Sequence, residues 1–425
     1  MWWALVSLAV AGGLKKLVDE ELDHPTLHGA VVSLRIDDER GKTLFARGSE
    51  QRLVPASTMK WVTAVAAADQ LGLDHTFTTT VEVAGVLVGD TLYGDIYWVG
   101  DGDPSLGEDD PNEVLDEIAR VMGGTGIRRV KGGVVVDHSI VTDPPLGAGW
   151  MWDDMRFGFS APHSGLNLGH NLWHRAFKDV EGCESVDDRR DAPLIDPPTC
   201  FGNLLQARLV EAGIRTTKEP RAGDVPNDAT EFVRFESPPM SDLLNRMLLD
   251  SDNLYAECIA RALDPDGARS IGDAREVLDG LFERAKVTPT FFKLADGSGL
   301  SRYSLVSADT LVELTSWAVQ QPWGLDLLEL MPIAGVSGTM ENRNVGTPAQ
   351  GRVWAKTGSM SGVRNLVGVV QDAKDRNLRF AILFNGVAGQ KAAREVQDRI
   401  LTLLSISRRR RIPKADLELA FPNDE

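Results

Sequence analysis

Three short motifs stand in order along this chain: Ser57-Thr58-Met59-Lys60, then Ser251-Asp252-Asn253, then Lys356-Thr357-Gly358, each present once in 425 residues. Their residue types suit acyl transfer. A serine hydroxyl becomes a nucleophile only when a base within hydrogen-bond reach takes its proton. On a helix starting at Ser57, Lys60 lies one turn along on the same face and can be that base. To be neutral near pH 7 its pKa must fall by several units, through desolvation or a second cation nearby. Lys356 can supply that cation. Ser251 suits relay of a proton to a leaving amine, and Asn253 suits orientation of Lys60 and the substrate. Lys356 and Thr357 offer an ammonium and a hydroxyl to a substrate carboxylate, and Gly358 leaves room for substrate backbone beside a strand. The backbone N–H groups of Ser57 and Ser359 suit a developing oxyanion. Taken singly, the motifs read as an N-cap with an exposed lysine, a turn before a helix, and a strand end. Their order and context point to chemistry.

The elements that must position these residues are legible in outline. Pro55-Ala56-Ser57 ends a loop, and apolar residues at Met59, Val62, Val65 and Ala66 predict a helix over 58–71, with Ser57 at its N-terminus. Before it, 30–36 and 43–47 read as a hairpin around a polar turn containing Gly41. From 77 to 232 the texture changes to short β-rich runs, with turns at 100–104, Pro144-Pro145 and Pro197-Pro198. Helical periodicity returns at 240–249, 254–263, 274–285 and 308–319. The chain then alternates through strands 352–356, 365–371 and 379–384 into a helix over 391–404. These elements predict one discontinuous α/β domain, 14–76 with 233–425, interrupted by a β-rich insertion over 77–232.

The composition is that of an ordinary globular protein: 43% hydrophobic and 25% charged residues, with no repeat or low-complexity segment. The 45 Lys and Arg against 62 Asp and Glu leave a net charge of -17, which opposes nucleic acid as a partner. Arg408 to Arg411 is a local exception and reads as a solvated tail, so that membrane contact is at most peripheral. The apolar run over 1–13 ends in Ala9-Val10-Ala11 and reads as a short, atypical secretory signal segment, which predicts export to the periplasm. No other segment approaches the ~18 apolar residues of a membrane-spanning helix. Of the three cysteines, Cys183 and Cys200 are near enough in sequence for a loop disulfide, and Cys258 reads as a small core residue. His170 and His174 have i,i+4 spacing, but no acidic pattern closes a metal site around them. The Gly100-Asp101-Gly102-Asp103 segment lacks the later Glu of a calcium loop and reads as a turn. No cofactor is expected.

At these motifs the chain resembles the penicillin-binding protein type 4 family, the low-molecular-mass class C D-alanyl-D-alanine carboxypeptidase/endopeptidases that trim peptidoglycan. The resemblance extends to 99–106, to 149–155 with 159–162, to the flanks of the second motif over 251–257, to 296–302 and to 331–335, and it runs from about Leu27 to Leu404. It implies a discontinuous transpeptidase/β-lactamase-like domain, an antiparallel sheet with helices, whose β-rich insertion lies between the first and second motifs. Here 194 positions separate the two serines. It further implies that Asp154, Phe159 and Arg302 hold the diaminopimelate side chain of a stem peptide, a carboxylate and a guanidinium matching its zwitterionic end. At Ser361 the chain departs from the family pattern, where a glutamine contacts the same ligand.

The resulting expectation is an exported serine D-alanyl-D-alanine carboxypeptidase with D-alanyl-diaminopimelate endopeptidase activity, acting through an acyl-enzyme on peptidoglycan stem peptides and acylated by β-lactams. Two rivals share its motifs or its fold. A β-lactamase or esterase would need a base that places a deacylating water, and no E-x-x-L-N segment stands between the second and third motifs. A non-catalytic peptidoglycan-binding protein would have no need of Ser57, Lys60 and Lys356 together.

Overall fold

The computed structural model describes residues 13–187, 189, 191–264, 269–287, 292–408 and 410–421; the expected signal segment, apart from Gly13, lies outside them. The helices, in chain order, are α1 Leu14–Leu22, α2 Met59–Gln70, α3 Pro111–Gly124, α4 Pro197–Glu211, α5 Met240–Leu249, α6 Asn253–Arg261, α7 Ile271–Ala285, α8 Ala308–Ala318, α9 Gly324–Glu329, α10 Gln390–Ile406 and α11 Lys414–Ala420. The strands are β1 Val31–Asp37, β2 Thr43–Arg47, β3 Thr78–Val88, β4 Thr91–Val99, β5 Arg129–Val130, β6 Val134–Asp137, β7 Arg215–Thr216, β8 Arg221–Ala222, β9 Thr230–Glu236, β10 Val353–Met360, β11 Val363–Gln371 and β12 Asn377–Asn385. Contacts divide the chain into two compact units. The first takes the chain up to Ala68, Leu244–Ser251 and everything from Leu278 on; the second takes Asp69–Leu243 and Asp252–Val277.

The first unit is built on a five-stranded antiparallel sheet in the order β10-β11-β12-β1-β2. Side chains alternate between the faces of a strand. On one face, Leu34 and Ile36 of β1, Leu366 and Val370 of β11, and Leu378, Phe380, Ile382 and Phe384 of β12 meet the apolar stripes of α1 and α10. Val353 and Ala355 of β10 join that core, so Trp354, Lys356 and Gly358 fall on the opposite face. On that side α8 packs on β1 and β12. The indole N–H of Trp61 in α2 donates to Thr315 Oγ1 of α8 at 2.9 Å. Every residue from Met59 to Ala68 is buried, so this helix is held by packing all round rather than by one apolar stripe.

The second unit carries a seven-stranded mixed sheet. Its main path is β7-β5-β4-β3-β9, with β6 pairing β4 and β8. The hairpin of β3 and β4 and the β3/β9 pair are antiparallel, and the remaining pairs are parallel. Helices α3 and α4 bury Val114, Leu115, Ile118, Met122, Phe201, Leu204, Leu205 and Leu209 against Val81, Ile96, Trp98, Val134 and Val136. Cys183 and Cys200 form a disulfide that ties the loop before α4 to that helix. Cys258 is buried in α6, where burial pushes its thiol well above the usual range.

Several elements differ from the sequence reading. The stretch read as β-rich runs also holds α3 and α4. Each begins with an aspartate whose side chain caps the helix and a proline in the first turn, Asp110-Pro111 and Asp196-Pro197. The strand expected to end at Lys356 runs on to Met360, because pairing with β11 continues without a break to the turn at Ser361-Gly362. The third motif therefore lies inside a strand. The arginine run is not a loose tail either: Arg408 pairs with Asp416 of α11 at 3.1 Å, and the Arg410 carbonyl accepts from Leu14 N–H.

Candidate active site

Ser57 sits in a short 3-10 turn, Ala56–Thr58, that leads straight into α2. The residue before it, Ala56, has φ 48°, a left-handed conformation that costs a non-glycine residue free energy. Three contacts hold this turn in place. The Asn365 side chain, buried in β11, donates to the carbonyls of Val54 at 2.9 Å and Pro55 at 2.8 Å and accepts from Phe384 N–H. Gly358 of β10 passes so near that a Cβ there would lie 2.6 Å from the Pro55 carbonyl oxygen. At Gly299 (φ +77°) a Cβ would lie 1.9 Å from the Ala56 carbonyl oxygen. The Ser57 turn is thus pinched between two glycines, which supply the close approach that no other residue allows.

Two lysines are fully buried in this unit, and each touches a serine. Lys60 Nζ lies 3.1 Å from Ser57 Oγ and donates to the Ser298 carbonyl at 2.9 Å. Lys356 Nζ donates to Ser251 Oγ at 2.9 Å and to the Thr357 carbonyl at 3.2 Å. Burial, reinforced by the neighbouring charge of Lys60, holds the Lys356 amine well below the usual lysine range. Desolvation disfavours ammonium groups, and two like charges in one site disfavour each other. The arrangement therefore favours one ammonium over two and leaves an amine to take a proton. Ser251 has φ 63°, a second strained backbone at a motif serine.

The remaining predicted residues divide between the units. Thr357 Oγ1 donates to Thr339 Oγ1 at 2.9 Å, Ser359 is the register partner of Arg364, and Arg302 donates to the Ser361 carbonyl at 3.1 Å, all in the first unit. Because β10 is an edge strand, one side of Lys356-Thr357-Gly358 has no strand neighbour among the described residues; the isolated bridge of Ile333 to Trp354 stops short of the triplet. In the second unit, Asp252 caps α6 by accepting from Tyr255 N–H at 3.1 Å, which starts the helix at Asn253. Asn253 Nδ2 donates to the Phe159 carbonyl at 2.7 Å. Phe159 is 47% exposed and stacks on Phe157, and the Asp154 carbonyl accepts from Ser160 Oγ at 2.7 Å. His170, weighed above for metal, instead meets the Asp252 carboxylate at 2.9 Å. Among the described residues no cluster of His, Cys, Asp and Glu could hold a metal ion.

The sequence reading gave no role to Asn365 or Thr339, and it met Asp296 and Ser298 only as part of the 296–302 segment of the resemblance. Asp296 is fully buried, and its carboxylate accepts from the N–H groups of Gly299 and Ser301 and the hydroxyl of Ser304, so it shapes the loop that turns the Ser298 carbonyl toward Lys60. A polar residue in an otherwise apolar strand, as Asn365 is in β11, is a readable signal, because a buried amide needs named partners. Its partners were not readable.

The sequence pattern of the D-Ala-D-Ala carboxypeptidase 3 (S13) family matches residues 14–185 and 179–406. The chain belongs to this family. It is 30% identical to a D-alanyl-D-alanine carboxypeptidase of an Actinomadura species, over 92% of this chain and 84% of the relative. It is also 30% identical to a carboxypeptidase of Mycobacterium tuberculosis, over 84% of this chain and 76% of that protein. Among solved structures, penicillin-binding protein 4 of Haemophilus influenzae shares the fold with TM-score 0.79 at 23% identity, over 89% of this chain and 97% of the other. The S13 assignment agrees with the penicillin-binding protein type 4 resemblance, and the transpeptidase-like α/β fold is the one expected.

Proposed function

We propose that this S13 chain is an exported serine D-alanyl-D-alanine carboxypeptidase that also cleaves D-alanyl-diaminopimelate crosslinks in peptidoglycan and is acylated by β-lactams. The observation that carries this reading is the pair of fully buried lysines, each in hydrogen-bond reach of a motif serine. Burying two amines is costly and has no value to a binding surface.

On this reading Ser57 attacks the carbonyl of the penultimate D-Ala while Lys60 takes its proton. The backbone N–H groups of Ser57 and Ser359 receive the oxyanion. Ser251 passes a proton to the leaving D-Ala, with Lys356 as its partner, and Lys356 and Thr357 anchor the terminal carboxylate beside edge strand β10. Water then releases the acyl group. The parts assigned to Asn253, Asp154, Phe159 and Arg302 come from the family resemblance: Asn253 orients base and substrate, and the other three receive the diaminopimelate end. The catalytic domain is read as 14–76 with 233–425 and the insertion as 77–232; the compact units draw the boundary differently, since 233–243 and 252–277 group with the insertion. Export to a periplasmic space is supported by the Cys183–Cys200 disulfide, a bond that persists in oxidising compartments. Among the described residues no helix is long and apolar enough to cross a membrane.

The test is D-Ala release from stem peptides differing only at the third residue, with Asp154→Ala as the control. The reading expects faster release from the diaminopimelate peptide than from the lysine peptide, and loss of that preference in Asp154→Ala. Equal rates on both peptides would remove the side-chain pocket.

A further inference from the structure

The hairpin of β3 and β4 forms an open edge of its sheet near the turn: on the β4 side β5 pairs up to Thr91, but on the β3 side the hairpin runs past its neighbour β9. β9 pairs with β3 only as far as Val83, so residues 84–88 have β4 as their partner and a two-residue turn at Gly89-Asp90. This uncovered edge is apolar: Val86 is 65% exposed, Leu87 52%, Val88 60% and Tyr93 56%. Val86 stands opposite Tyr93 and Val88 opposite Thr91, so Val86, Val88 and Tyr93 share one face of the hairpin and Leu87 takes the other. A solvated hairpin tip has no use for three consecutive bulky apolar residues, and exposed clusters of this kind mark a surface that something covers.

The strand ends beside the tip are basic in a chain of net charge -17. Arg128, Arg129, Lys131, Arg215 and Lys218 are all exposed. The N–H groups of Arg128 and Arg129 donate to the Asp90 carbonyl, and Lys131 N–H donates to the Leu92 carbonyl, which seats these residues at the tip. Thr91, Arg129 and Arg215 are register neighbours across β4, β5 and β7, which puts both guanidinium groups on the face of Val86, Val88 and Tyr93. Like charges side by side on a sheet repel. The one acid at the turn, Asp90, is already paired with Arg129 at 3.0 Å.

We propose that this hairpin docks the protein on an anionic phospholipid surface, its apolar tip entering the headgroup boundary while Arg128, Lys131, Arg215 and Lys218 meet lipid phosphates. Apolar side chains flanked by arginine and lysine are the chemistry that such a surface selects. A stable protein interface buries about 800 Å² on each partner. A patch of four apolar side chains at a sheet edge offers less than that and suits shallow insertion.

The test is co-sedimentation of the full chain with vesicles of phosphatidylcholine alone and of phosphatidylcholine rich in phosphatidylglycerol. Binding to the anionic vesicles should be about tenfold stronger and should weaken with added salt. A Val86→Ser, Leu87→Ser, Val88→Ser variant and an Arg128→Gln, Lys131→Gln, Arg215→Gln variant should each lose most of it, while hydrolysis of a soluble stem peptide stays at the wild-type rate and reports intact folding. Equal binding to both vesicles, no binding, or undiminished binding by the apolar-tip variant would overturn the proposal. Hairpin-dependent crosslinking to an envelope protein in the absence of vesicle binding would overturn it in favour of a protein partner.

Discussion

Lys356 Nζ donates to Ser251 Oγ at 2.9 Å across 105 positions of sequence, and both groups lie in the same compact unit. The bond joins the third motif to the second through their side chains. With burial and the charge of Lys60 both acting on Lys356, this site is set to hold one proton fewer than its lysine count suggests.

Lys356→Met should show the consequence in pH. With Lys356 gone, the one proton that the paired amines share has only Lys60 to sit on, so more alkaline solution is needed to free Lys60 as a base. The acid limb of the kcat/KM profile for D-Ala release should move to higher pH, alongside a loss of about a hundredfold or more in kcat/KM from the missing carboxylate partner. An unmoved limb would mean that the two lysines are not coupled.

The glycine pinch makes a steric prediction. Gly358→Ala places a methyl 2.6 Å from the Pro55 carbonyl oxygen, and Gly299→Ala places one 1.9 Å from that of Ala56 on a backbone already at φ +77°. Gly358→Ala should fold and lose most activity, because β10 must shift away from the nucleophile turn. Gly299→Ala should be destabilised by about 2 kcal/mol or more. Urea melts and D-Ala release on the two variants separate these outcomes; near-wild-type activity in Gly358→Ala would contradict the geometry.

His163 in the second unit gives a stability prediction. It is 2% exposed, and neither ring nitrogen has a hydrogen-bond partner among the described residues. Burial, with help from the charge of Arg261, lowers its pKa from 6.5 to about 3. Between those values the unfolded chain binds a proton that the folded chain refuses. Stability is therefore unaffected by this group above pH 6.5 and falls as pH drops toward 3, by up to about 1.4 kcal/mol per unit. His163→Leu should flatten this dependence in urea melts at pH 7, 5.5 and 4.5. The same slope in variant and wild type would assign the acid sensitivity elsewhere.

Much of the fold was legible because its signals are local. The helix after Ser57, the closing strands and α10 follow from apolar periodicity, and their bounds shift by only a few residues. What was missed had competing signals or none. In α3 and α4 the aspartate caps and first-turn prolines are helix starts, but turn residues nearby drew the reading toward strands. Gly358 read as the end of a strand because glycine weakens strands; the structure keeps it inside β10 since a side chain would strike the Pro55 carbonyl. The three motifs named the serines and lysines that the structure pairs, Ser57 with Lys60 and Ser251 with Lys356. Two of their supports, Asn365 and the Ser298 carbonyl, act across hundreds of positions, and such contacts leave no periodic trace in a single sequence.

The most direct measurement is the intact mass of the purified protein over time with benzylpenicillin, beside Ser57→Ala. The account predicts that the wild type gains the mass of one penicillin in a lasting adduct, that fragmentation places it on Ser57, and that the variant gains none. An adduct on the variant as well, or none on the wild type, would contradict Ser57 as the acylated nucleophile.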